Sequence, residues 1–245
     1  ENASAVRGGR LYDNWWQEMQ NSDVQVQAPV SRNPIFDTWN VSRVVSGTDG
    51  WRCATCHSFA YSGTGILATD TDADNLLLRI EQRRASLGSE TELQNQIYLW
   101  IKEGSGNVHN YGTSQALLPT ILSESELWDL TKFLLEAIQV TVDKIDPQSK
   151  TILINTDPDV TGAQLYTGQS INTVNCTTCH GISGQQVAGF DIFQLAVDNP
   201  WRFVHKTRFS QTVNSKMPAL EGIGDVSVEQ IYSLLAYARQ QFNTR

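Results

Sequence analysis

The chain carries one short pattern twice, C-x-x-C-H, at Cys53-Ala54-Thr55-Cys56-His57 and again at Cys176-Thr177-Thr178-Cys179-His180, and the two copies use all 4 of its cysteines. Two thiols three positions apart, followed at once by a histidine, suit covalent attachment of haem. The thiols reach two vinyl groups on one edge of the macrocycle, and the histidine is carried beneath the iron. Two covalently bound haem c groups are therefore expected, with His57 and His180 each filling one axial position. A zinc cluster of Cys53, Cys56, Cys176 and Cys179 would have no need of a histidine after both pairs. A thioredoxin-like pair would occur once, beside a βαβ pattern, whereas these pairs recur among helical patterns.

The surroundings of the motifs repeat in the same order. Gly8-Gly9-Arg10-Leu11-Tyr12 opens the first half and Gly162-Ala163-Gln164-Leu165-Tyr166 the second, both reading G-x-x-L-Y. Each half then supplies its C-x-x-C-H and closes on an amphipathic segment that begins at a capping box. Ser123-Glu124-Ser125-Glu126 precedes Leu127, Trp128, Leu130 and Phe133, while Ser227-Val228-Glu229-Gln230 precedes Ile231, Tyr232, Leu234 and Tyr237. In each box the serine accepts from the third helical amide and the Glu or Gln reaches back to the serine amide. Further helical periodicity lies at Ala73 to Ser86 and Glu90 to Glu103, the latter opening on Ser89-Glu90-Thr91-Glu92.

No sustained strand alternation is present, so the fold class expected is mainly α, with two tandem domains each packing helices around a haem. The first domain spans 1–140 and the second 161–245. The linker, 141–160, is rich in Asp, Ser and Thr with Pro147 and Pro158, and Ile145, Ile152 and Ile154 suggest that part of it packs along the domains. Tyr12 stands much further from Cys53 than Tyr166 does from Cys176, so the first domain holds an insertion at about 21–50, containing Pro29, Pro34 and Trp39. Such a segment is expected to cover a surface or a haem edge.

At 245 residues, 40% hydrophobic and 18% charged, the chain can bury a real core, and it has no apolar run long enough to span a membrane. Its formal charge of -8 excludes a simple nucleic-acid binder and disfavours anionic membrane surfaces. The opening Glu1-Asn2-Ala3-Ser4-Ala5 lacks a basic and apolar leader and reads as a mature form whose secretion signal has been removed. Covalent haem attachment takes place outside the cytoplasm, so a periplasmic or extracellular location is expected.

The G-x-x-L-Y openings, the two haem motifs and the aromatic closing helices together resemble the class I c-type cytochromes, arranged as a tandem dihaem electron-transfer protein. In that family an N-terminal helix with a glycine and an aromatic crosses a C-terminal helix with an aromatic, and the distal ligand sits on a loop before the closing helix, often as Met-Pro. The resemblance implies that Met217-Pro218 supplies the distal ligand of the second haem, giving a His180/Met217 pair. The first half has no methionine at that place. His109, in Gly106-Asn107-Val108-His109-Asn110-Tyr111-Gly112, occupies the corresponding loop and is assigned to the first haem with His57. Met19 competes for that role, although Trp15, Trp16 and Met19 more simply form a packing stripe, and an open iron is the third alternative. Asn199-Pro200-Trp201 with His205, Lys206, Arg208 and Phe209 looks like a segment of bacterial dihaem cytochromes. It places His205, Arg202 or Arg208 by the propionates and Trp201 against the haem edge.

A thioether raises the haem potential relative to imidazole, so electrons should run from the His/His haem to the His/Met haem. The function expected is electron transfer between redox proteins, from a donor dehydrogenase to an acceptor cytochrome or reductase, with no enzymatic step of its own. A dihaem peroxidase, a sulfur-compound dehydrogenase and a haem-based small-ligand sensor remain as alternatives, and each needs an accessible iron or another distal ligand.

Overall fold

The computed structural model describes residues 3–19, 47–61, 76–103, 122–138, 143–170, 174–211, 216–221 and 226–245. The chain divides into two compact units, Glu1–Gln139 with Gln211–Ser215, and Val140–Ser210 with Lys216–Arg245. The loop holding His109 and most of the segment expected as an insertion at 21–50 lie outside the described residues. Among the described residues the structure is mainly helical, and its β content is one isolated antiparallel bridge, Ile145 to Ile152.

In the first unit, α1 (Ala5–Met19) carries its apolar side chains at helical spacing, and Leu11, Tyr12, Trp15, Trp16 and Met19 are all buried. Asn14, at φ -157° and ψ 80°, interrupts the helical backbone just before the tryptophans. After the short turn Gly47–Trp51 comes α2 (Cys53–His57), followed by α3 (Leu76–Ser86) and α4 (Glu90–Glu103). The closing helix α5 (Glu124–Lys132) starts at the predicted capping box, where Glu126 accepts from the Ser123 amide at 2.7 Å, and runs into a π-turn, Phe133–Ala137. The predicted box before α4 differs. Ser89 accepts from the Glu92 amide at 3.3 Å, but the Glu92 carboxylate reaches one residue further back, to the Gly88 amide at 2.9 Å.

α1 crosses α5 at a glycine. A Cβ on Gly8 would stand 2.1 Å from the Asp129 carbonyl oxygen and 2.7 Å from Phe133 Cβ. Beside that contact Arg7 pairs with Glu126 at 2.5 Å and Asp129 at 3.1 Å, while the Ser4 amide donates to Asp129 at 2.6 Å, so both buried carboxylates have partners.

The second unit is built the same way. A π-turn, Pro158–Gly162, is capped by Asp157 and leads into α6 (Ala163–Thr167); α7 (Thr177–His180), α8 (Ile192–Asp198), α9 (Pro200–Phe209) and the closing helix α10 (Val228–Asn243) follow. Both halves of the capping box form at α10, with the Ser227 amide donating to Gln230 at 2.8 Å and the Gln230 amide to Ser227 Oγ at 3.3 Å. A Cβ on Gly162 would meet the Ser233 carbonyl oxygen at 2.3 Å and Tyr237 Cβ at 2.8 Å. Ser233 and Tyr237 hold the same places after Ser227 as Asp129 and Phe133 hold after Ser123. Ile145 is buried in this unit's core with Ile152 and Ile154 packed against it, and Arg239 donates to the Lys150 carbonyl at 2.6 Å, so the segment before Asp157 lies along the second unit.

Candidate haem-binding sites

Each C-x-x-C-H forms a helical turn. α2 begins at Cys53, and α7 is capped by Cys176, whose carbonyl accepts from the His180 amide at 2.9 Å. On a helix, residues i, i+3 and i+4 share one face, so in each motif both thiols and the imidazole leave the same side of a single turn. None of the four cysteines, all among the described residues, forms a disulfide. Among the described residues no group of three or more His, Cys, Asp and Glu side chains is arranged to hold a metal ion.

The opening tyrosines hold these turns in place. Tyr12 Oη donates to the Ser58 carbonyl at 2.7 Å, and Tyr166 Oη donates to the Gly181 carbonyl at 2.5 Å. Ser58 and Gly181 each directly follow the motif histidine, and they share one backbone shape: φ 57° and ψ 173° at Ser58, φ 69° and ψ 170° at Gly181. That region belongs almost wholly to glycine, so Ser58 keeps it only because its surroundings fix it. The front of each turn is anchored too. Arg52, the residue before Cys53, donates through Nε to the Asp13 carbonyl at 2.6 Å and pairs with the Asp13 carboxylate, and Trp15 Nε1 donates to the Trp51 carbonyl at 3.0 Å. In the second unit the Cys176 amide donates to the Tyr166 carbonyl at 3.1 Å.

Aromatic clusters back both tyrosines. Tyr12 lies 5.2 Å from Phe133 and 5.4 Å from Tyr61, centroid to centroid; Tyr166 lies 5.4 Å from Tyr237 and 5.1 Å from Phe193. The G-x-x-L-Y repeat marked these tyrosines, but spacing alone did not show that their hydroxyls reach the residue after the motif histidine.

The chemistry of the donors fits a haem. Burial, added to by the Cys56 thiol, pushes Cys53 up to about 12, and burial likewise pushes Cys176 up to about 11. Burial pushes the His180 imidazole down, leaving it the neutral base that ligates metals. His180 Nδ1 is buried with no hydrogen-bond partner, a costly state for a polar ring nitrogen.

The remaining predicted residues gather on and after α9. His205 is fully buried against Phe209, with ring centroids 5.0 Å apart. Arg208 is also buried; its Nε donates to Glu221 at 2.9 Å and its guanidinium lies 4.6 Å from the Phe209 centroid. Trp201 is half-buried and packs on the core. Met217 is half-buried in the segment 216–221, and its carbonyl accepts from Ser210 Oγ at 2.6 Å. Glu221 and Ser210 carry no sequence signal; each is a single polar residue that matters through a partner elsewhere in the chain. Met19 lies buried in the α1 stripe.

Each C-x-x-C-H turn thus lies between a glycine-bearing opening segment and an aromatic closing helix. Residues 163–237, which take in Cys176, Cys179, His180 and Met217, match the family model described as cytochrome c oxidase, cbb3-type, subunit III. The match supports a c-type cytochrome with covalently bound haem and electron transfer as its chemistry. No curated protein matches the chain. Among solved structures, a chain of the reducing HAO-like protein complex of Kuenenia stuttgartiensis is similar at 14% identity over 88% of this chain and 99% of that one, with a TM-score of 0.27, a level from which nothing about the fold follows. No helix among the described residues is long and apolar enough to cross a membrane.

Proposed function

We propose that this chain is a tandem dihaem c-type cytochrome that passes electrons between redox proteins outside the cytoplasm. The observation that carries the reading is the atomic repeat: a glycine against the closing-helix carbonyl, Gly8 on Asp129 and Gly162 on Ser233, together with a tyrosine hydroxyl on the carbonyl after each motif histidine. Two independent sites with the same supports serve the same kind of group. The domains are taken as 1–140 and 161–245, with 141–160 between them.

Cys53 and Cys56 would hold one haem by thioethers and Cys176 and Cys179 the other, with His57 and His180 as axial ligands. When bound, the haems supply one-electron iron chemistry. On the distal sides, His109 serves the first centre and Met217 the second, so the first has the lower potential and gives electrons to the second. Trp201, His205 and Arg208, all on α9, would contribute to the site of the second haem. The donor is a dehydrogenase and the acceptor a cytochrome or reductase, met through an acidic protein of charge -8.

The test is the mass of the protein matured in a host that attaches haem c. Two haem groups above the polypeptide mass of 27.3 kDa are expected; one or none overturns the dihaem reading. Carbon monoxide and cyanide should leave both centres unbound, and rapid binding of either would favour the peroxidase, dehydrogenase or sensor alternatives.

A further inference from the structure

Ser210 ends α9 at φ 69° and ψ -165°, a backbone region that is almost exclusively glycine's. It is nevertheless a serine, only 2% exposed, and its Oγ donates to the Met217 carbonyl at 2.6 Å. The rest of the segment is tied to the same helix end. The Leu220 amide donates to the Thr207 carbonyl at 3.0 Å, the Glu221 amide to the Arg208 carbonyl at 2.9 Å, and Arg208 Nε to the Glu221 carboxylate at 2.9 Å. The far end of the segment is thus held by two backbone bonds and an ion pair. At its near end the Met217 carbonyl accepts from the hydroxyl of a strained residue.

We infer that Ser210 is a positioning residue for the second haem: its hydroxyl fixes the Met217 backbone so that the thioether is presented with little freedom to leave. The backbone strain is tolerated because glycine, which would relieve it, has no hydroxyl to give. This rests on the reading of Met217 as the axial ligand.

The experiment compares the haem-loaded protein with Ser210→Gly and Ser210→Ala. The readouts are the long-wavelength charge-transfer band of thioether-ligated ferric haem, displacement of the methionine by imidazole, and the potential of each haem. Both variants should be displaced at imidazole concentrations roughly three- to tenfold lower than wild type, the effect of one net hydrogen bond. The second haem's potential should fall and the first haem's stay unchanged. Ser210→Gly, freed of strain, should melt above Ser210→Ala, which keeps the test readable if the alanine variant folds poorly. Unchanged imidazole affinity and an unchanged band in Ser210→Gly overturn the inference while leaving the ligand reading intact. A wild-type spectrum without the band, unaltered by Met217→Ala, overturns the ligand reading and the inference with it.

Discussion

Replacing Gly162 by alanine isolates the contact on which the second unit closes. The residue sits at φ -65° and ψ -45°, a conformation any amino acid adopts, so only space forbids a side chain there. The added Cβ would lie 2.3 Å from the Ser233 carbonyl oxygen and 2.9 Å from its carbon, with Tyr237 Cβ at 2.8 Å on the other side. Backbone atoms cannot rotate aside, so α10 must move outward by roughly 1 Å to restore van der Waals contact, and Tyr237 leaves its place beside Tyr166. Overpacking of this kind destabilises by about 1–3 kcal/mol. The gain in helix propensity from Gly to Ala, up to about 1 kcal/mol, acts against it but is incomplete at the edge of a turn. A net loss of about 1–2 kcal/mol follows, which for a small domain lowers Tm by roughly 4–16 °C. Differential scanning of the haem-loaded protein measures it, with Gly88→Ala as a control at a glycine of ordinary φ whose added Cβ would meet only the end of the flexible Glu92 side chain, at 3.2 Å. A Gly162→Ala protein that melts at or above wild type would refute the close-approach argument.

Tyr166→Phe keeps the ring and removes the hydroxyl bond to the Gly181 carbonyl; a loss of about 1 kcal/mol is expected, read as a lower denaturation midpoint. Ser227→Ala removes the cap of α10 and should cost about 1 kcal/mol in the same assay, with little change in either haem spectrum. Asp157 caps the Pro158–Gly162 turn, and its carboxyl is held below the ordinary aspartate range by bonds from the Thr161 hydroxyl and the Val160 and Thr161 amides. A lowered folded-state value means that the unfolded chain takes up the proton first. Its contribution is therefore complete above the ordinary aspartate range and disappears as pH falls through the folded value, so Asp157→Asn, which keeps a capping oxygen, should flatten the acid limb of the Tm-against-pH curve. His109→Ala should open the first haem to carbon monoxide and leave the second unchanged; binding at neither haem would refute the ligand assignment.

Local spacing was enough for most of what depends on one stretch of chain, the box at Ser89, where Glu92 reaches Gly88, being the exception. The C-x-x-C-H turns, the capping boxes at Ser123 and Ser227 and the apolar stripe of α1 are readable because a helix places i, i+3 and i+4 on one face whatever surrounds it. The repeat of G-x-x-L-Y marked Gly8 and Gly162, yet their reason for being glycine lies in carbonyls far along the chain, at Asp129 and Ser233. Tertiary structure alone decided the partners of single polar groups: Tyr12 with Ser58, Arg208 with Glu221, Ser210 with Met217. A hydroxyl or guanidinium has no period, and its partner is whichever group packing brings within about 3 Å. The amino-acid order thus determined where the C-x-x-C-H turns fall and where helices begin, because those are short-range facts. How firmly each turn is held was left to long-range contacts, which exist only once the helices have closed on one another.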